Sequence, residues 1–162
     1  MRIEHDLLGE REVPENVYWG VHTLRAQENY NVSGYRQRPE LTRGLVQVKK
    51  ACAQANLEMG HLPKDKAKAI ITACDEIIEG KFHDQFVVDV FQGGAGTSAN
   101  MNANVVIANR AIEILGGKKG DYTIIHPNNH VNRHQSTNDV VPTAIRVALV
   151  GLFRKLPETV GV

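Results

Sequence analysis

Four stretches between Glu40 and Leu156 repeat apolar side chains every three or four residues, and each ends at a glycine or proline. That period belongs to the α-helix, and a helix with one apolar stripe must bury it against another element. The chain is therefore expected to be mainly α. In the first stretch Leu41, Leu45, Val48, Cys52, Ala55 and Met59 mark one face of a long helix ended near Gly60. After Pro63, a stripe of Ala67, Ile70, Ile71, Cys74, Ile77 and Ile78 stops at Gly80, with Lys64, Lys66 and Lys68 largely outside it. These two helices should pack as an antiparallel hairpin. The third stretch, Ala99 to Leu115, aligns Met101, Val105, Ala108, Ile112 and Leu115 and stops at Gly116-Gly117. The fourth starts about Asp139, spaces Ile145, Ala148, Leu149, Leu152, Phe153 and Leu156 helically, and meets Pro157.

Outside these stretches the pattern is looser. Residues 1–35 mix charges, aromatics and turn residues, which predicts short strands, irregular chain and a helix around Thr23 to Glu28. The β-branched run within Phe82 to Phe91 fits helix or extended chain and reads as a buried connector. Residues 117–135 read as a polar connection. Asn100, Asn102, Asn104 and Asn109 are unusual inside a helix because asparagine competes for backbone hydrogen bonds. Some should contact a ligand or neighbouring loop, and others solvent.

Composition narrows the partners. A chain of 162 residues with a formal charge of +1 has no dominant attraction to nucleic acid or an anionic membrane, which leaves small polar molecules as ligands. Cys52 and Cys74 lie in helical patterns and form no CxxC pair, so they read as buried reduced thiols. The N-terminus has no apolar core of signal-peptide length, and no run reaches the roughly twenty apolar residues of a membrane span. A cytoplasmic protein is expected.

Two loops carry the chemistry. Gln92-Gly93-Gly94-Ala95-Gly96-Thr97-Ser98 and Gln135-Ser136-Thr137-Asn138-Asp139 each run into a helical sequence. The first N–H groups of a helix lack internal partners and the helix dipole favours negative charge there, so such an end can hold an anion. The glycines permit close backbone approach, and Thr97, Ser98, Ser136, Thr137 and Asn138 add hydroxyl and amide donors. Pro142 fits the first turn of a helix beginning near Asp139. Taken singly, each loop reads first as an ordinary N-cap, and only second as an anion site. The first lacks the lysine of GxxxxGK[ST] and the third glycine of GxGxxG, which excludes the usual nucleotide motifs. His126, His130 and His134 have a spacing that lines up imidazoles on a helix, but Pro127 interrupts it and no acidic or thiolate ligand accompanies it, so no metal is assigned.

The segments Arg2 to Glu10, Tyr18 to Ala26, Gln92 to Ser98 with Asn100-Met101-Asn102, and Gln135 to Asp139 resemble the aspartase/fumarase superfamily across essentially the whole chain. Val21-His22-Thr23-Leu24-Arg25 and Ser136-Thr137-Asn138-Asp139 are most similar to the N-terminal part of the aspartate ammonia-lyases, where fumarases more often have Ala-Gln-Thr-Gln-Arg and Ser-Ser-Asn-Asp. The resemblance implies an L-aspartase-like fold: a mainly helical domain over 1–138 with a few short strands near its N-terminus, then the start of a central-bundle helix over 139–162. It implies conversion of L-aspartate to fumarate and ammonia by β-proton abstraction through an aci-carboxylate, with no cofactor and a homotetramer for the full-length family member. Thr97, Ser136 and Thr137 would bind the substrate's side-chain carboxylate with Ser98 nearby, Asn138 would meet the amino group, and His130 would stand near a secondary carboxylate site. The family's catalytic serine is expected beyond Val162, so the resemblance implies an inactive isolated chain. The alternatives are a fumarase-like hydratase fragment, or a non-catalytic module assembling with another chain. Val105, Asn129 and His134 stand where the family usually has Glu, Asp and Ser or Cys, which is expected to disturb the second loop.

Overall fold

The computed structural model describes the backbone of residues 1–160 and the side chains of residues 1–156. Strands β1 (Arg2–Asp6) and β2 (Gly9–Val13) form an antiparallel hairpin with Arg2 opposite Val13 and Asp6 opposite Gly9. Helices α1 (Val21–Asn29), α2 (Pro39–Glu58), α3 (Lys64–Ile78), α4 (Thr97–Ile114) and α5 (Thr137–Val160) follow, with a 3-10 turn at His83–Gln85 and a π-helical turn at Pro127–Val131. The mainly helical expectation holds, as do the short N-terminal strands. Among the described residues no helix is long and apolar enough to cross a membrane.

Helices α2 and α3 form the antiparallel hairpin, as Arg43 Nε donating to Ile78 O and Lys50 pairing with Asp75 require. The buried face of α2 differs from the expected stripe. Thr42, Leu45, Val46, Lys49, Ala53 and Asn56 are buried, whereas Ala55 and Met59 are exposed. The stripe is displaced because α2 packs on both α3 and α5 and must turn polar side chains toward the 131–135 loop. The close crossing of α2 and α5 depends on Gly44, where a Cβ would lie 2.6 Å from the Ala144 carbonyl oxygen.

Helix α4 is enclosed on nearly every side. Ala103, Val106, Ile107, Ala108, Ala111 and Ile112 pack into the core with Ile70, Ile77, Ile125 and Val140, while Leu115 is exposed. Its four asparagines are all buried, so solvent accounts for none of them. Asn102 spans Val87 N and Gln85 O, and Asn109 spans Gly120 N and Tyr18 O. Both satisfy backbone groups of irregular chain that would otherwise be buried without partners.

The N-terminal hairpin is fastened by a buried ion pair. Arg2 Nε donates to Glu4 Oε1 at 2.7 Å, and its other nitrogens donate to the carbonyls of Pro14, Val17 and Trp19. Glu4 Oε2 in turn accepts from Val21 N at the start of α1 and from the Tyr122 hydroxyl.

Helix α5 begins at Thr137, two residues earlier than expected, and continues through Pro157. Pro142 is therefore past the first turn, and its missing N–H removes the helical bond that the Asn138 carbonyl would accept. Beyond Ala148 its apolar positions are periodic but uncovered, with Leu149, Leu152, Phe153 and Leu156 exposed.

Candidate functional site

Both hydroxyl-rich loops deliver helix N-termini, and the structure sets those termini side by side. Asn100 Nδ2 in the first turn of α4 donates to Thr137 Oγ1 in the first turn of α5 at 2.9 Å. Gly96, the N-cap of α4, has φ +89° in the left-handed region, and a Cβ there would also press on Val141 at 3.0 Å. Glycine thus serves both the backbone conformation and the approach of α5.

The capping reading holds for part of each loop. Gln92 Oε1 accepts the Ala99 N–H at 2.8 Å, and Ser136 Oγ accepts the Asn138 N–H at 3.2 Å. The N–H groups of Thr97, Ser98 and Thr137 have no acceptor among the described residues. Thr97, Ser136 and Asn138 are exposed, while Ser98 and Thr137 are half-buried. The bond from Asn100 fixes one further detail. Because Thr137 Oγ1 already accepts there, its own proton is left to point at something else.

Asp89 secures the approach to the first loop. Its carboxylate accepts from Ser33 N, Ser33 Oγ, Gly34 N and Phe91 N, at 2.8 to 2.9 Å. Burial raises its pKa, but the hydrogen bonds from Phe91, Ser33 and Gly34 outweigh that and hold it well below the usual carboxylate range. Its stabilisation is complete above the ordinary aspartate range and is lost as pH falls below it. Asp89→Ala should accelerate amide exchange at Ser33, Gly34 and Phe91. Unchanged protection at all three would remove the clamp from this account.

His130 lies apart from the two loops, with no hydrogen bond to either. Its Nδ1 accepts the His126 N–H at 2.8 Å, which leaves the neutral ring's proton on Nε2. Burial, then the charges of Lys66, His126 and Arg133, hold it below the ordinary histidine value. Lys66 Nζ stands 3.4 Å from Nε2, so two donors adjoin each other. His126 Nδ1 accepts from Asn128 N and Asn129 N, and His134, at φ +57°, places Nδ1 2.8 Å from Asn56 Oδ1. These engagements orient the three histidines. Val105 lines a cavity of about 600 Å³ with Val21, Met101, Tyr122 and His126. None of Val105, Asn129 and His134 hydrogen-bonds to Ser136, Thr137 or Asn138.

One group escaped the sequence reading. Lys49 is fully buried on α2, with Nζ donating to Asn132 Oδ1 at 2.7 Å and to Gln135 Oε1 at 2.8 Å. Its signal was a lysine four residues from both Leu45 and Ala53, on the true buried stripe.

The sequence model of a family described as lyase matches residues 9–160. The chain is 56% identical over 159 residues to an aspartate ammonia-lyase of Bacillus sp, covering 98% of this chain and 34% of that protein. It is 54% identical over 164 residues to the aspartate ammonia-lyase of Escherichia coli K12, covering 99% of this chain and 34% of that protein. Among solved structures, a Brucella melitensis protein titled fumarate lyase:delta crystallin superposes with TM-score 0.91 at 58% identity, over 93% of this chain and 34% of that one. A class II fumarase from Schistosoma mansoni gives TM-score 0.86 at 35% identity, over 91% of this chain and 31% of that one. The chain thus spans about one third of the length of the curated relatives it matches.

Proposed function

Because the chain belongs to the lyase family matched over residues 9–160, we propose that it is the carboxylate-binding part of an aspartate ammonia-lyase acting on L-aspartate. The observation that carries this reading is the junction of two helix N-termini at Asn100 and Thr137, with donors left free on both sides. Thr97, Ser136 and Thr137 hold the substrate's side-chain carboxylate, Ser98 adds a nearby donor, and Asn138 meets the amino group. Abstracting the β-proton places extra negative charge on that carboxylate. Donors fixed around it therefore stabilise the aci-carboxylate transition state more than the substrate. The residue that takes the proton is a serine outside these 162 residues. His130, with Lys66 beside its Nε2–H, serves a secondary carboxylate site.

In this reading residues 1–138 form one domain and residues 139–162 begin a central helical bundle. The uncovered apolar face of α5 supports that division, and the full-length protein is a homotetramer.

The test is a chimera in which these residues replace the matching third of the Escherichia coli relative, with fumarate formation followed by its ultraviolet absorbance. Thr97→Ala should lower kcat about a hundredfold. Full activity in that variant would refute the assignment. Hydration of fumarate without ammonia release would instead favour the fumarase-like alternative.

A further inference from the structure

We infer that Lys49 is the positioning residue of this carboxylate site and supplies the buried positive charge that a bound carboxylate answers. The inference rests on the carboxylate-binding reading above and adds to it a residue far away in sequence.

Its partners carry the argument. Lys49 Nζ donates only to the neutral amide oxygens of Asn132 and Gln135, and no carboxylate pairs with it among the described residues. A buried ammonium without a counter-charge is costly, and a neighbouring anion relieves that cost. The titratable groups acting on it are Cys52 on its own helix and Cys74 on α3. Burial pushes both thiols up, so they remain neutral near pH 7. The charges that act on those thiols in turn lie on Lys50 and Asp75, which pair with each other, and on Asp139 in the first turn of α5. None of these carboxylates is bonded to Lys49.

The lysine also fixes both loops. Gln135, immediately before Ser136, is held between Lys49 Nζ and the Val131 carbonyl. Asn132 Oδ1 accepts Lys49 Nζ, Asn100 Nδ2 and Asn104 Nδ2 together, while Asn132 Nδ2 donates to Gln135 O. Asn100 then donates to Thr137 Oγ1. Two side chains therefore separate the ammonium from a substrate-facing hydroxyl. Asn100 Oδ1 and Asn104 Oδ1, both buried, have no partner among the described residues, so the cluster has acceptors to spare but no negative charge.

Burial lowers the Lys49 pKa to about 7. The charged form therefore prevails below that pH and is lost above it. A bound dianion favours the charged form, so binding should raise the lysine's midpoint and take up a proton. Affinity for a fully ionised dicarboxylate should fall by up to about tenfold per pH unit above 7, until the midpoint of the bound state is reached.

The experiment uses the isotope-labelled 162-residue chain with succinate as probe, followed by NMR. In the free chain the amides of Gln135, Ser136, Thr137 and Asn138 should titrate with the Lys49 side-chain signals, and succinate should move that midpoint upward. Lys49→Met should weaken succinate binding at least tenfold at pH 6 and abolish its pH dependence. Lys49→Arg should restore part of the affinity while leaving it flat with pH. Loop amides that ignore the Lys49 titration overturn the inference without any variant. Succinate binding by Lys49→Met with wild-type affinity and pH profile overturns it as well. If Thr97→Ala and Ser136→Ala weaken binding while Lys49→Met does not, only the role of Lys49 falls. If the hydroxyl variants are also silent, or succinate does not bind, the carboxylate-site reading falls with it.

Discussion

Arg2→Met should destabilise the chain by about 3–5 kcal/mol, the usual consequence of removing one partner from a buried ion pair. The Arg2 and Glu4 side chains are 8% and 2% exposed, and the arginine also closes the carbonyls of Pro14, Val17 and Trp19. Its loss strands three acceptors and leaves the Glu4 carboxylate with only Val21 N and the Tyr122 hydroxyl. Urea unfolding measures the effect. The double variant Arg2→Met, Glu4→Leu should lose less than the sum of the single changes, because the stranded charge is removed with its partner. Simple additivity would show that the pair is not coupled as its geometry requires.

Gly44→Val comes next, with an expected loss of about 3 kcal/mol. Helix interiors ordinarily gain from replacing glycine, so the sign here is set by the crossing. The added Cβ meets the Ala144 carbonyl oxygen at 2.6 Å and Ala148 N at 3.3 Å, and backbone on an intact helix cannot turn aside as a side chain can. For a domain of this size the melting temperature should fall by roughly 6–12 °C. Gly151→Ala provides the contrast. It lies in the same α5 with open space where its Cβ would stand, and should be neutral or stabilising by up to about 1 kcal/mol. A Gly44→Val chain that melts with the wild type would mean that α5 does not pack against α2 as described.

Helix α3 was legible because its stop and apolar spacing agree with the element formed, whereas α4 was legible in its stop but not in its burial, which extends around nearly the whole helix and leaves Leu115 exposed. Helix α2 was legible in extent but not in orientation. Thr42, Lys49 and Asn56 occupy its buried face, and a polar residue there makes sense only beside its partner. Asn56 Nδ2 meets Arg133 O, and Lys49 meets Gln135, more than seventy residues away. No local period carries that information. The same limit applied at the site. The hydroxyl loops could be read from composition and helix ends, since capping and anion binding are local properties. That Ser136 would cap its own helix, shifting the start to Thr137, depended on a turn geometry the residue types permit but do not dictate. Asn100, an oddity in a helix, became intelligible only once Thr137 and Asn132 stood beside it.

The bonds from Lys49 to Asn132 and Gln135 close loops of 83 and 86 residues, so no short segment contains this cluster. During folding, the hairpin of α2 and α3 draws on neighbouring residues and can assemble early, with the lysine still hydrated. The cluster must wait for the 131–135 loop to dock, and contacts so distant in sequence are slow to form. The ammonium therefore gives up its water late, when partners able to replace that water have arrived. A signal from this lysine would then mark completion of the whole fold, and any premature collapse that traps it would have to reopen before the chain could proceed.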